Sequence, residues 1–265
     1  MNAIFNIRAS SLSELFDCPA RWEAKNLLKM RNPSSGAAQL GTAVHAGTAL
    51  FDQAIIDGNK ITIDDAAGAV VDAIYQPEFD VAWDEDLQPK AAEKIALALH
   101  AKYCTEISPK QKYVGVEVTC ERLEITDLGI ALTGTTDRIR QLPDGRYGIA
   151  DLKTGARAVG SDGRASTSGH AAQIGVYELL AEQAIGEIIS APAQIIGLQT
   201  ANTTQKVGTG EIENAKAALI GDEESPGLLE HAANVIHSGM FYGNPKSMLC
   251  SSKYCPRHAT CKFKG

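Results

Sequence analysis

Apolar and polar residues alternate along three stretches in the middle of the chain, about 113–125, 129–141 and 146–153, and this two-residue period predicts three consecutive strands. Upstream the spacing turns helical. Ser11 to Met30 predicts a helix capped by Ser10 or Ser11, with Glu14 completing a capping box from Ser11. Gly36 to Leu40 reads as a loose connection into a long helix that carries His45, and residues 64–107 as a helical section whose clearest amphipathic stretch is Ala91 to His100. Downstream, the pattern predicts a helix near 170–185, a strand over Gln194 to Gln199, and helices around 210–219 and 225–239. There is no internal repeat. The order of elements predicts an α/β fold with a mixed central sheet flanked by helices. Residues 1–265 are expected to form one unit, with a mainly helical part at 1–110, an α/β core at 111–205 and a helical part at 206–265 ending in a cysteine-bearing tail.

The second and third strands are joined by Pro143-Asp144-Gly145, which suits a three-residue hairpin loop with Gly145 in the left-handed position. That loop sets Leu142 against Arg146, and continued pairing brings Asp137 opposite Asp151. Directly opposed residues have Cβ atoms roughly 4.5–5.5 Å apart, so both carboxylates are within reach of one Mg²⁺ or Mn²⁺. Lys153, two residues on, points to the same face. Unscreened, the two carboxylates repel each other, and a hard cation with oxygen ligands is the usual remedy. Such an ion would activate a water, with Lys153 positioning it or stabilising charge on a reacting phosphate. The plainer reading is an exposed hairpin carrying ordinary charges.

Cysteine usage adds a second candidate. Cys250, Cys255 and Cys261 crowd the C-terminal tail, and Cys18 stands far away in Phe16-Asp-Cys-Pro-Ala-Arg-Trp22. Met1 to Ser10 has no long apolar core of the secretory kind, so a reducing cytoplasm and reduced thiols are expected. Three clustered thiolates and one distant one suit a [4Fe-4S] cluster clasping the two ends of the chain. Structural zinc, with Cys18 or His258 as the fourth ligand, is the rival, and three free thiols on a tail the bland alternative. Cys104 and Cys120 have no partner spacing and read as small core residues.

At 265 residues and 44% hydrophobic composition the chain is not a mostly disordered protein. No apolar run approaches the roughly 20 residues of a membrane span. The net charge of −7 runs against a nucleic-acid partner, which normally meets a basic surface. Acidic runs such as Asp64-Asp65 and Asp84-Glu85-Asp86 account for part of it. Arg8, Arg21, Lys25, Lys29, Arg31, Lys253, Arg257, Lys262 and Lys264 gather near the two cysteine-bearing ends, where they form either a solvated face or a basic groove. Between Lys153 and Gln173 lies a small-residue stretch with Gly155, Gly160, Gly163 and Gly169, read as a flexible loop, a mobile lid or a DNA-contacting loop with Arg157, Arg164 and His170 as phosphate contacts.

Taken together, Cys18-Pro-x-x-Trp22, Gly41-Thr-Ala-Val-His45, Gly134-x-x-Asp137, Asp151-x-Lys153, Gln173-x-x-x-Tyr177 and Asn244-Pro245 leading into the three cysteines resemble the PD-(D/E)XK nuclease superfamily. The similarity is to its RecB-like branch with an iron-sulfur cluster, which includes AddB-type helicase-nucleases, CRISPR-associated exonucleases and phage recombination exonucleases. It spans most of the chain, and the order and separation of the motifs carry it.

The resemblance implies a restriction-endonuclease-like core and a Mg²⁺- or Mn²⁺-dependent exonuclease acting on DNA ends in recombination or repair, in a cell or on a phage genome. It gives Asp137, Asp151 and Lys153 the catalytic positions, adds the carbonyl of Leu152 and the ring of His45 as metal ligands, and sets Gln173 and Tyr177 on a helix lining the site. Glu117 matches a supporting upstream carboxylate. Cys18, Cys250, Cys255 and Cys261 would hold the cluster, although the spacing of x4 then x5 departs from the x2 then x5 of the best-known members. DNA is the implied partner, with a recombinase, a single-strand annealing protein or a helicase beside it; no ATP-binding motif occurs in this sequence, so any helicase is a separate chain. The oligomeric state is not legible. Two other classes stay open: a catalytically silent DNA-binding module of the same fold, and a zinc-stabilised interaction protein. Read alone, His45 is a hydrogen-bonded core histidine, and Gln173 and Tyr177 the buried edge of a helix.

Overall fold

The computed structural model describes residues 4–201 and 204–264; Met1 to Ala3, part of the segment tested for a leader, lie outside them. The chain opens with β1 (Phe5–Arg8), followed by α1 (Leu12–Asp17) and α2 (Pro19–Asn26). The single helix expected over 11–30 is therefore two. Pro19 has no N–H to give to the preceding turn and pushes Cys18 into extended backbone at φ −152°. The expected capping box is absent as well: Ser11 Oγ donates to the Arg8 carbonyl, while Glu14 pairs with Arg21 and Lys25.

A two-residue strand β2 (Ser34–Ser35) leads into α3 (Gly36–Ile56). Gly36 to Leu40 is thus the first turn of this helix and not a connection; Ser35 caps it by accepting from Ala38 N at 3.2 Å. The section at 64–107 resolves into α4 (Ile63–Tyr75), the short strand β3 (Val81–Ala82) and α5 (Pro89–Lys102), whose end widens into a π turn at Tyr103–Ile107. The three expected strands follow as β4 (Tyr113–Ile125), β5 (Ile130–Gln141) and β6 (Tyr147–Gly155), then α6 (Ala171–Ile185), β7 (Ala193–Gln199), β8 (Lys206–Ile212), α7 (Ala215–Ile220) and α8 (Leu228–Ser238). β8 occupies the start of the segment expected to be helix at 210–219.

The six-stranded sheet is mixed. β5 runs through its middle with β4 antiparallel along one edge from Tyr113↔Arg140 to Ile125↔Ile130. The other edge of β5 is shared: β1 pairs in parallel with Ile130–Thr133, and β6 pairs antiparallel with Arg138–Gln141. β7 joins β6 in parallel and β8 closes the sheet antiparallel to β7. Two cores lie on the two faces. One packs α1, α2, α6, α7 and α8 on residues such as Ile130, Leu132, Ile149 and Ile195; the other packs α3, α4 and α5 on Ala150, Leu152, Ile196 and Leu198. β6 is therefore buried on both sides, as expected for a strand with a helical layer on each face.

Glycines set how the loop after β6 lies. A Cβ at Gly197 would meet the Ala158 carbonyl at 2.3 Å, and one at Gly208 the Gly163 carbonyl at 2.3 Å. The segment 156–168 rests on β7 and β8 through these glycines, with an internal bridge from Val159 to Ala165 and Ala165 N donating to the Thr209 carbonyl. It is a small hairpin seated on the sheet.

Candidate active site

The loop Pro143–Gly145 forms as a hairpin turn with Gly145 at φ +90°, and Leu142 N donates to the Arg146 carbonyl at 2.8 Å. The register that follows places Asp137 across from Asp151, but backbone pairing stops one step earlier, at Arg138↔Ala150. β1 has already ended at Thr133, so residues 134–137 have no strand on this edge. The Asp137 side chain takes up the slack: its Oδ2 accepts from Leu152 N at 2.7 Å. A carboxylate at a gap in a sheet is thereby fixed in orientation by the strand it faces.

The opposite oxygen, Asp137 Oδ1, looks toward α3, where His45 Nδ1 stands 3.7 Å away. His45 Nδ1 is also 3.9 Å from Glu117 Oε1. One ligand atom from each of His45, Glu117 and Asp137 falls within 4.8 Å of the others, which suits a shared divalent cation. Glu117 reaches this position with its backbone at φ +46°, inside an otherwise extended strand. A non-glycine residue there is strained by roughly 1–3 kcal/mol, and the strain aims its carboxylate into the site. Burial and the charge of Asp137 raise the Glu117 pKa, against the opposing pull of His45 and Arg138.

Asp151 lies beyond this triad. It is buried, and desolvation together with Asp137 pushes its pKa up to about 6, against the lowering effect of Lys153 and His45. Lys153 Nζ is 2.6 Å from Asp151 Oδ2 but off the hydrogen-bonding direction, leaving that buried oxygen without a hydrogen bond. An acidic atom so placed has an unused lone pair, and hard cations use such atoms. Lys153 donates to Gln173 Oε1 at 3.0 Å, and Gln173 Nε2 donates to the Tyr177 hydroxyl at 3.0 Å, so α6 holds the lysine through two residues one turn apart. Gly134 permits this: a Cβ there would stand 3.0 Å from Tyr177 Cε1. Leu152 sits between the acid and the lysine, its N–H on Asp137 and its side chain in the other core. His170, just before α6, is half-buried; burial and then the charge of Lys153 lower its pKa.

Behind the carboxylates is a buried network that the hydrophobic pattern did not reveal. Arg138, fully buried, donates from Nε to Asp52 Oδ2 at 2.7 Å, from Nη1 to the Asp137 carbonyl at 2.7 Å and to Glu117 Oε1 at 3.4 Å, and from Nη2 to Thr48 Oγ1 at 3.2 Å. Asp52 also accepts from the Tyr103 and Ser108 hydroxyls, both at 2.6 Å. An Arg directly after a candidate catalytic Asp, and an Asp on the apolar helix α3, were the available signals.

The cysteines meet at the N-terminal end of α2. Cys18, Cys250, Cys255 and Cys261 line one small cavity with Arg21, Arg257 and His258. Asn244 N donates to Cys18 Sγ at 3.4 Å, and Ser247 Oγ and Arg21 both donate to Asp17 Oδ2. All six cysteines are free thiols, and Cys104 and Cys120 are buried elsewhere, as expected. Trp22, also fully buried, donates to Ser11 Oγ and stacks on Phe241 at 6.1 Å between ring centroids.

A family profile described as the PD-(D/E)XK nuclease superfamily matches residues 7–262. Among solved structures, one titled "Crystal structure of SSO0001" aligns at 13% identity with a TM-score of 0.45, covering 100% of this chain and 89% of that one. No curated protein matches.

Proposed function

The chain belongs to the PD-(D/E)XK nuclease superfamily, and from that premise we propose that it is a metal-dependent exonuclease that hydrolyses phosphodiester bonds at DNA ends in recombination or repair, with a [4Fe-4S] cluster holding its two ends together. The observation that carries the nuclease reading is the gap in the pairing of β5, where Asp137 is locked on Leu152 N–H beside the buried Asp151 and Lys153. Asp137, Asp151, Glu117, His45 and the Leu152 carbonyl would hold the Mg²⁺ or Mn²⁺. When bound, such an ion polarises the phosphate and lowers the pKa of an attacking water.

The protein's own groups have separate tasks. Asp151 is the least solvated acid in the site, so it holds its proton more tightly than a free carboxyl, and a cation beside it would favour the charged form. Lys153, held by Gln173 and Tyr177, offers a fixed positive charge to the phosphate as negative charge builds there. Arg138 balances the negative charge behind Glu117 and Asp137 without meeting solvent. No helix among the described residues is long and apolar enough to cross a membrane.

The cluster reading belongs to the RecB-like branch and is supported by the common cavity of the four thiols and by the Asn244 N–H on the Cys18 sulfur. Zinc held with His258 is the competitor. Iron content and brown colour of anaerobically purified protein separate them, because a zinc protein is colourless.

The deciding experiment follows end-labelled linear DNA and closed circular DNA in Mg²⁺, Mn²⁺ or EDTA, beside Asp151→Ala. Metal-dependent loss of linear DNA that spares the circle and vanishes in the variant is expected. Cleavage of the circle makes the enzyme an endonuclease, and no cleavage of either by folded protein removes the catalytic reading.

A further inference from the structure

Charge is distributed very unevenly along this acidic chain. Beyond Glu230 there is no Asp or Glu, while Lys246, Lys253, Arg257, Lys262 and Lys264 all follow. Asp84 and Glu23 meet Lys253 and Arg257, leaving Lys246, Lys262 and Lys264 exposed and without an ionic partner among the described residues. The same segment exposes large apolar side chains: Tyr242 is 55% exposed, Tyr254 47% and Met248 88%. Next to it, Asn32 donates to the Ser252 and Lys253 carbonyls, bringing exposed Lys29 and Arg31 alongside.

Aromatic rings interleaved with unpaired lysines, on a protein of net charge −7, form the combination that binds single strands: rings stack on bases of any sequence, and cations track the phosphates. One helix links the patch to the carboxylate site. From His45, α3 runs back to its cap at Ser35, about 15 Å at 1.5 Å per residue, and Asn32 just beyond is bonded to the patch. We propose that Tyr242, Tyr254, Lys246, Lys262 and Lys264 form a track for a single-stranded nucleic-acid segment connected to the strand in the carboxylate site. The assignment rests on the nuclease reading for its direction, but the track binds whether or not the site cleaves.

Fluorescence anisotropy with labelled oligothymidylates of about three and about twenty nucleotides, without added divalent ion, tests it. The triple variant Lys246→Glu/Lys262→Glu/Lys264→Glu should weaken binding of the longer strand at least tenfold and reduce its log–log salt slope by about 2, at about 0.7 per lost phosphate contact. Tyr242→Ala should weaken it about tenfold, within the range for one lost base stack. Lys29→Glu/Arg31→Glu, outside the cysteine segment, should weaken it in the same sense. In a parallel assay with Mg²⁺, hydrolysis of the three-nucleotide substrate, too short for the track, should stay at the wild-type rate in all three. Longer-strand binding within twofold of wild type in all three variants, with an unchanged salt slope, overturns the proposal. An equal loss for a blunt duplex overturns the single-strand assignment. Wild-type protein that cleaves neither oligonucleotide defeats the nuclease reading alone, since anisotropy still decides the track.

Discussion

At the carboxylate site, each side chain stands on backbone held by neighbours: Asp137 on β5 with β4 behind it, Asp151 and Lys153 on the part of β6 paired with β7, His45 in the third turn of a capped helix. At the cysteine cavity, Cys250, Cys255 and Cys261 belong to a segment of turns tied to α2 by isolated bonds such as Ala20 N to the Tyr242 carbonyl and Arg257 to the Ala20 carbonyl. The difference teaches that sheet register builds one site, whereas the other is assembled from scattered bonds between turns and a short helix.

The sharpest way to break that comparison is at the acids. Asp151→Ala should reduce cleavage of linear DNA about a thousandfold or more, as loss of a transition-state group does, with no fall in melting temperature because a buried charge is removed. A rate within tenfold of wild type ends the assignment. Arg138→Met should then cost about 3–5 kcal/mol in chemical denaturation, because Asp52 is left buried without its partner, and Asp52→Leu with Arg138→Met should recover most of it. A single variant as stable as wild type would mean that the carboxylate site is not preformed by this pair.

On the cysteine side, Cys18→Ala should lower iron content and cost about 3 kcal/mol, a fall of roughly 6–12 °C in melting temperature. Unchanged iron and stability would remove the clasp and with it the contrast. The smallest expected effect lies on α6. Burial raises the Glu178 pKa to about 7 against the help it receives from Lys216 N–H. A carboxyl raised on folding favours the native state while protonated. Its contribution is fully present below the unfolded value near 4.5 and is lost as pH climbs through 7. Glu178→Gln should therefore melt a few degrees above wild type at pH 8 and level with it at pH 4; equal melting curves at both would show that the acid is not desolvated as placed.

The hairpin register was legible because Pro143-Asp144-Gly145 admits one compact turn and the side-chain period does the rest. The mixed sheet with helical layers followed from the order of elements. β8 was not legible: Lys206-Val-Gly-Thr-Gly-Glu-Ile212 spends two positions on glycine, and the need for them comes from Ala165 and Gly163 pressing from a distant loop. The same contact hides the seating of that loop, whose composition reads as flexible and which lies on the sheet. Glu117 was visible as a carboxylate, but its positive φ was not, because pairing with β5 runs unshifted on both sides of it and no local pattern encodes the turn of its backbone. Arg138 and Asp52 did not stand out because a sequence shows the polarity of a side chain and not its partner, 86 residues away.

The position of β1 beside β5 has a consequence for handling the protein. A chain shortened to start after Arg8 would bare the edge Ile130-Ala-Leu-Thr133, whose first three residues are fully buried apolar side chains, as an open row of backbone donors and acceptors. Such an edge recruits other strands, so the shortened protein should precipitate or dimerise edge to edge even with every acid and cysteine in place.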